Sequence, residues 1–164
     1  MVGMVSCLKK IINTLDHLED GVLFVLFLTL VGLAFGQVIL RNFFDSSIVW
    51  ADVAIRVLVL WVTVFGAMVA TRRHEHIRID LVPEMLKGRP RHIVRALYLL
   101  TASTVAFAVS YYSLEVVRLE MQYPSTAFAD IPTWMTQVVI PFGFGVIGLR
   151  FLGQGIYALR EMQP

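Results

Sequence analysis

Four long apolar runs, separated by charged segments, dominate the pattern of the sequence. The first run contains twenty residues without a charge, and a helix of that length measures about 30 Å, the thickness of the hydrocarbon core of a bilayer. The predicted spans lie at about 21–40, 50–71, 96–114 and 131–149. We therefore predict an all-α integral membrane protein with four transmembrane helices in a single membrane domain, 1–164.

The N-terminal segment before the first run shows a different pattern. Its apolar residues recur at helical spacing, with charged residues on the rest of the helix surface. The apolar positions are Leu8, Ile11, Ile12, Leu15 and Leu18. This pattern predicts an interfacial amphipathic helix that lies along the membrane surface.

Lysine and arginine are distributed unevenly between the segments that flank the spans. Eleven fall on one side of the predicted membrane, against only Arg41 and Arg118 on the other. The eleven are Lys9 and Lys10 near the N-terminus, Arg72, Arg73, Arg78, Lys87, Arg89, Arg91 and Arg95 in the second loop, and Arg150 and Arg160 near the C-terminus. Because basic residues favour the cytoplasmic side, the distribution predicts an N-in/C-in topology. The second loop, 71–95, is interpreted as a basic loop facing lipid.

Composition agrees with a membrane location. Apolar residues make up 57% of the 164 residues and charged residues 16%, which would leave a soluble domain too few polar side chains for its surface. The net charge of +2 does not suggest a nucleic-acid partner. The single cysteine, Cys7, excludes an internal disulfide and a four-cysteine metal site.

Arg56 is the one charge well inside a predicted span. Asp52 lies one helical turn earlier on the same face and nearer the membrane surface, a spacing that favours pairing of the two side chains. A long arginine side chain can also reach lipid phosphate. A structural pair, a contact to lipid or to a partner subunit, and an ion or substrate contact therefore all remain open for Arg56.

Small residues recur at four-residue spacing and predict faces where helices approach closely in lipid. The candidates are Gly32 and Gly36 in the first span, Gly66 and Ala70 in the second, and Ala102, Ala106 and Ser110 in the third. Gly143, Gly145 and Gly148 give the fourth span a smooth surface that would suit a partner helix. Spacing alone leaves open whether the neighbour belongs to this chain or to another.

Two features of the fourth span concern the course of its backbone. Asp130 followed by Pro132 predicts a helix start, because the acid can cap free N–H groups and proline lacks one. Pro141, inside the span, is predicted to kink the helix.

The predicted spans lack the residues that a haem, metal, ion-binding or catalytic site would require. All four histidines lie outside them, which argues against buried haem, and His74 and His76 on a basic loop make a poor metal site. No span carries a carboxylate at mid-depth, and no nucleotide-binding glycine loop or Ser/His/Asp set is visible. We therefore predict no enzyme activity and no cofactor in this chain. The residues by themselves indicate a small four-span scaffold or accessory subunit.

Several short motifs resemble one known family, the small membrane subunit of tripartite ATP-independent periplasmic (TRAP) transporters, also described as DctQ-like. They are Arg41-Asn42-Phe43, Trp50-Ala51-Asp52 with Arg56, Trp61, Phe65-Gly66-Ala67, Ala70 and Arg72, then His76-Ile77-Arg78-Ile79-Asp80-Leu81, Ile131-Pro132-Thr133-Trp134 and Pro141-Phe142-Gly143. One position departs from the family pattern, which often has two acids after the tryptophan. Here Asp52 is followed by Val53.

The resemblance implies a division of labour in the bacterial inner membrane. A soluble periplasmic substrate-binding protein delivers an organic acid to a large membrane subunit, which binds sodium and substrate and moves them. The small subunit packs beside the static part of the large one, in contact with membrane lipids. This chain is then expected to hold no substrate, sodium or other cofactor, and Trp50, Asp52 and Arg56 are expected to order the outer end. The alternatives are a self-assembling small carrier or channel, or a membrane anchor for a redox enzyme.

Overall fold

The computed structural model describes residues 2–44, 46, 48–73, 89–128 and 131–160. Side chains are described at 14–44, 46, 48–72, 93–127 and 131–160. The elements in chain order are α1 (Val2–Phe43), α2 (Val49–Arg73), α3 (Arg89–Gln122), β1 (Thr126–Phe128), β2 (Ile131–Pro132), α4 (Thr133–Gln137) and α5 (Val139–Arg160).

Within the described residues, four helical segments are long and apolar enough to cross a membrane, which confirms the predicted fold class. They cover Thr14–Phe43, Val49–Arg72, Ile93–Gln122 and Thr133–Arg160. Most ends extend beyond the apolar runs, because polar residues with good helix propensity continue a helix after its hydrophobic stretch ends. The topology stays a prediction. The backbone is helical from Val2, but the side chains before Thr14 lie outside the described residues, so the amphipathic helix also stays a prediction.

The chain divides into two compact units, and the first contains α1, most of α2 and the two short strands. After α1 ends, Phe44 N and Ser46 N both donate to the carbonyl of Leu40, at 3.1 and 3.3 Å. Ala51 N donates to Ile48 O at 3.0 Å where α2 begins. These bonds satisfy backbone groups that a helix end leaves free, and they keep the α1–α2 connection short.

The strands form an antiparallel pair that the sequence did not predict. Pro132 disfavours a helical conformation at Ile131, so this dipeptide is extended and pairs with β1 instead of starting the fourth span. The helix begins at Thr133, two residues later than predicted. Asp130, the predicted cap, lies outside the described residues.

The second unit contains the last residues of α2 together with α3, α4 and α5, and close packing of α3 against α5 holds it together. A Cβ placed on Gly148 would lie 3.1 Å from the ring of Phe107, and one on Gly155 would lie 3.3 Å from Leu100. The nearest atom to a Cβ on Gly145 is Ser110 Oγ, at 3.5 Å. Gly145 and Gly148 therefore serve the contact with α3 of the same chain. The suggestion that they suit a partner helix needs correction.

Two serines of α3 reinforce this contact with hydrogen bonds to carbonyl groups of α5. Ser103 Oγ donates to Gly148 O at 2.9 Å, and Ser110 Oγ donates to Pro141 O at 2.7 Å. Close approach of the two backbones is what brings these carbonyl groups within reach.

Farther along α5, Gln154 Nε2 donates to Thr71 O at 3.2 Å and satisfies a carbonyl in the last turn of α2.

Pro141 accompanies an interruption of the fourth span. The helix breaks at Val138, between α4 and α5, three residues before the proline. Pro141 has no N–H to donate to the carbonyl of Gln137, and its ring crowds that carbonyl. The neighbouring bonds persist, from Val138 N to Trp134 O and from Phe142 N to Val138 O.

Replacing Ser103 with alanine is expected to lower the free energy of unfolding in detergent by about 0.6 kcal/mol, the average for such bonds between membrane helices. The cause is loss of the bond to Gly148 O. Ser113→Ala is the matched control, since Ser113 bonds within its own helix to Val109 O. Thermal unfolding followed by circular dichroism measures both variants. Equal stability of S103A and S113A would show that the α3–α5 bond contributes nothing measurable.

Candidate functional site

Among the four membrane spans of the described residues, α1 has the least buried apolar surface. No residue of its apolar 18-residue window is buried, whereas the other three spans each bury part of theirs. Phe35 is 65% exposed and Val38 is 64% exposed. The other large apolar side chains exposed along the span are Val22, Phe24, Val25, Phe27, Leu28 and Val31. In a membrane this surface meets lipid or another protein.

The two glycines predicted to form a packing face on α1 have open space above them. A Cβ placed on Gly32 or Gly36 would meet no atom within 4 Å, and the same holds for Gly66 of α2. Ala70, the fourth predicted position, is exposed. These four small residues therefore differ from Gly148 and Gly155, which already have neighbours in the chain.

A polar cluster, defined as Gln37, Asp52 and Arg56, lies where α1 ends and α2 begins. Gln37 Nε2 donates to Ile48 O at 3.3 Å and to Asp52 Oδ1 at 3.4 Å. Gln37 Oε1 is buried and has no hydrogen-bond partner. Both partners are acceptors, so the amide nitrogen of Gln37 faces them and its oxygen points away.

The described part of the chain shows no ion pair between Asp52 and Arg56, which was one of the alternatives that the sequence left open. Both side chains are exposed, and the carboxylate of Asp52 instead accepts the hydrogen bond from Gln37. The hydrogen-bond donor that Asp52 receives therefore comes from the preceding helix. Trp50 precedes Asp52 by two residues in the first turn of α2, and its side chain is 46% exposed.

Gln37 is the residue that sequence reasoning missed. The first span was recognised as a run without charges, and an amide inside it attracted no attention. A signal was nevertheless present, because an amide in an apolar span is costly unless its donor and acceptor groups find partners.

The basic loop is shorter than predicted. Arg72 lies in the last turns of α2, and Arg95 lies in α3, whose backbone starts at Arg89. Arg78 and Lys87 lie outside the described residues, as do the side chains of Arg73, Arg89 and Arg91. His74 and His76 are outside them too. Within the described ranges, no group of three His, Cys, Asp or Glu residues could hold a metal ion.

Comparison with known proteins matches most of this chain to one family. The family model for the DctQ component of tripartite ATP-independent periplasmic transporters matches residues 30–161. The chain is also similar to the ectoine TRAP transporter small permease protein TeaB of Halomonas elongata, with 26% identity over 164 residues. That alignment covers 97% of this chain and 83% of the relative.

Two further relatives are much longer than this chain. It is 26% identical over 108 residues to the isethionate TRAP transporter permease protein DctMQ of Oleidesulfovibrio alaskensis, covering 65% of this chain and 17% of the relative. It is 24% identical over 143 residues to the sialic acid TRAP transporter permease protein SiaT of Haemophilus influenzae, covering 87% of this chain and 23% of that relative. The similarity thus occupies less than a quarter of either permease.

Proposed function

We propose a function from the premise that this chain belongs to the DctQ family, the DctQ component of tripartite ATP-independent periplasmic transporters. It is a non-enzymatic, multi-pass component of the inner membrane. Our proposal is that it acts as the small scaffold subunit of a sodium-coupled transporter for organic acids. In this role it packs beside a large substrate-translocating subunit and itself binds neither sodium nor substrate.

The unburied surface of α1 carries this proposal. No residue in its apolar window is buried, and Gly32 and Gly36 leave open space on the helix. Lipid tails are as apolar as these side chains, so association between helices in a membrane depends on close backbone approach at small residues. Gly66 and Ala70 offer a second such position on α2. A helix of the large subunit could pack closely on these positions and make van der Waals contacts that lipid tails provide poorly.

The longer relatives support a large partner. In DctMQ and SiaT the similar segment occupies only 17% and 23% of the relative's length. A segment like this chain therefore occurs joined to a much longer polypeptide in those permeases. In the present case we propose that the corresponding large part is a separate subunit held by non-covalent packing.

We assign substrate and ion binding to the partner because the predicted spans of this chain have few charged residues. Transport of a sodium ion and an organic anion requires oxygen ligands and cationic or amide groups deep in the membrane. The first, third and fourth predicted spans of this chain have no charged residue, and the second has Asp52 and Arg56 close to one end. Isethionate and sialic acid, named for two relatives, are organic acids. The proposed partners also include a periplasmic substrate-binding protein that delivers such an acid.

Affinity purification of the full chain from its native membranes in mild detergent tests the proposal. We expect a much larger polytopic protein to copurify at about a one-to-one ratio, since the small residues on the open faces of α1 and α2 allow close packing of its helices. Mass spectrometry identifies the protein, and reconstitution of the purified complex measures sodium-dependent uptake of an organic acid. Purification of this chain alone as a homo-oligomer that moves solute in liposomes would favour a self-assembling carrier instead.

A further inference from the structure

An apolar stripe with heptad spacing runs along the exposed surface of α3 and includes the residue that follows the helix. Its eight apolar positions, separated alternately by four and three residues, are Tyr98, Ala102, Val105, Val109, Tyr112, Val116, Leu119 and Tyr123. Six of them are exposed, from 45% for Tyr98 to 76% for Tyr123. Tyr123 continues the helical pattern, because its N–H donates to Leu119 O at 3.1 Å. We call these eight residues the heptad stripe, and a repeat of this length is typical of a coiled-coil seam.

The heptad stripe is separate from the surface of α3 that packs against α5. Ser103 and Ser110 donate to carbonyl groups of α5, and each follows a stripe residue by one position. Each serine therefore lies about 100° around the helix from the stripe. Val117, which also follows a stripe residue, is only 3% exposed. Packing within the second unit thus covers another side of α3 and leaves the stripe exposed.

The C-terminal end of the stripe continues past the part of α3 that suits hydrocarbon. The uncharged run 96–114 has nineteen residues, which as a helix measure about 28 Å, close to the thickness of the hydrocarbon core. Glu115, Arg118 and Glu120 follow within six residues, and each charge would be costly among acyl chains. The last three stripe residues are therefore exposed where burial against a protein removes apolar surface from water, a gain that packing in lipid does not give.

Acidic side chains flank this end of the stripe on both sides. Glu115 immediately precedes one stripe residue and Glu120 immediately follows the next, so they occupy the g and e positions of the heptads. Glu120 Oε1 accepts hydrogen bonds from the backbone N–H of Ser125, at 3.2 Å, and from its hydroxyl group. These bonds fix the carboxylate at its flank. A helix that docks on the stripe therefore meets negative charge along both edges.

We propose that the heptad stripe docks a helix of another membrane protein, which has apolar residues at heptad spacing and lysine or arginine at the flanking positions. The first five stripe residues lie in the uncharged run, so the docked helix also crosses the membrane. Charge complementarity selects this occupant over a second copy of the chain. Two copies with the same topology would be parallel, and Glu115 of each would face Glu120 of the other, where like charges destabilise pairing. The inference concerns α3 alone, so it does not rest on the proposed scaffold function.

Association of the full chain with a synthetic single-span helix in phosphatidylcholine vesicles tests the site. The lysine probe has valine and leucine at its heptad positions and lysine at both flanks near one end, and the matched probe has glutamate at the same flanks. An acceptor dye at that end reports energy transfer from a donor on the α3–α4 connection, so only the matching orientation contributes. We expect the lysine probe to bind about tenfold more tightly, since two flanking pairs change from repulsion to attraction. Equal affinity for the two probes, or binding of neither, would overturn the proposal.

Two pairs of substitutions separate packing from charge. Leu119→Ser is expected to weaken both probes by at least about tenfold, because the burial of a leucine is lost. Met121→Ser is its control, since Met121 is 49% exposed on the same part of α3 but lies outside the stripe. Glu115→Lys is expected to remove the preference for the lysine probe, because one flank then repels it while the other attracts it. Arg118→Glu, on a side of the helix away from the stripe, is expected to leave the preference unchanged.

Energy transfer between labelled copies of the chain, measured without a probe, tests the competing occupant. We expect L119S and M121S to behave alike in this measurement. Loss of self-association in L119S but not in M121S would assign the stripe to a second copy and overturn the proposal. Wild-type affinity of L119S for the lysine probe would overturn it as well. Circular dichroism confirms that each variant is folded before its titration.

Discussion

Leucine in place of Gly32 is expected to leave this chain folded and to separate it from its large partner. No atom lies within 4 Å of a Cβ on Gly32, so the larger side chain has room within the chain itself. On a face packed against another helix, the same side chain forces the two backbones apart. Overpacking costs about 1–3 kcal/mol, which corresponds to roughly a fivefold to hundredfold loss of affinity. Gly66→Leu on α2 is expected to act in the same direction.

The measurement is the amount of large subunit recovered with each tagged variant from equal amounts of membrane. Gly153→Leu is the matched control, because Gly153 is also open to a Cβ but lies outside the predicted packing faces. Thermal unfolding of the variant chains should show no decrease in the midpoint for any of the three. Full recovery of the partner and normal uptake with both G32L and G66L would show that these faces do not form the interface.

Leucine in place of Gly148 is expected to have the opposite consequence, a loss of fold within the chain. The first added carbon would lie 3.1 Å from Cδ1 and Cε1 of Phe107, tighter than ordinary van der Waals contact, and the rest of the side chain has to displace the ring. The backbones of α3 and α5 would separate, and the bond from Ser103 to Gly148 O would be lost with them. We expect a decrease of about 3 kcal/mol in the free energy of unfolding.

Thermal unfolding in detergent measures this loss, with Gly153→Leu again as the control on the same helix. Both substitutions change helix propensity equally, so the difference between them reports packing. Phe107→Ala, combined with Gly148→Leu, should recover part of the stability because it removes the ring that the leucine displaces. If G148L were as stable as G153L, the conclusion that α3 and α5 pack closely at Gly148 would be wrong.

The contrast between Gly32 and Gly148 explains how far sequence reasoning reaches here. Both glycines occur in apolar spans with small residues nearby, and both were predicted to allow close approach of a helix. One has a phenylalanine ring of the same chain above it, and the other has open space. The spacing of small residues defines a face of a helix. Which helix packs on that face depends on the tertiary structure.

The polar residues illustrate the same limit. The i, i+4 spacing of Asp52 and Arg56 favoured a pair within one helix as one of several alternatives, whereas the structure gives Asp52 a hydrogen-bond donor from α1. Gln37 is fifteen residues away in sequence and reaches Asp52 only because the chain reverses between α1 and α2. Local spacing favours an interaction within one helix, but it does not show a donor that another helix supplies.

By itself, the sequence determined the four spans and the family to which the chain belongs. These properties are local, because a backbone in hydrocarbon must satisfy its own hydrogen bonds and therefore requires a continuous apolar helix. The tertiary structure alone decided that α3 and α5 pack on each other, that Gln37 holds Asp52, and that α1 has no buried residue in its apolar window. Those outcomes depend on which helices become neighbours, and in lipid that choice depends on the fit of whole surfaces, since apolar side chains gain little by leaving the acyl chains.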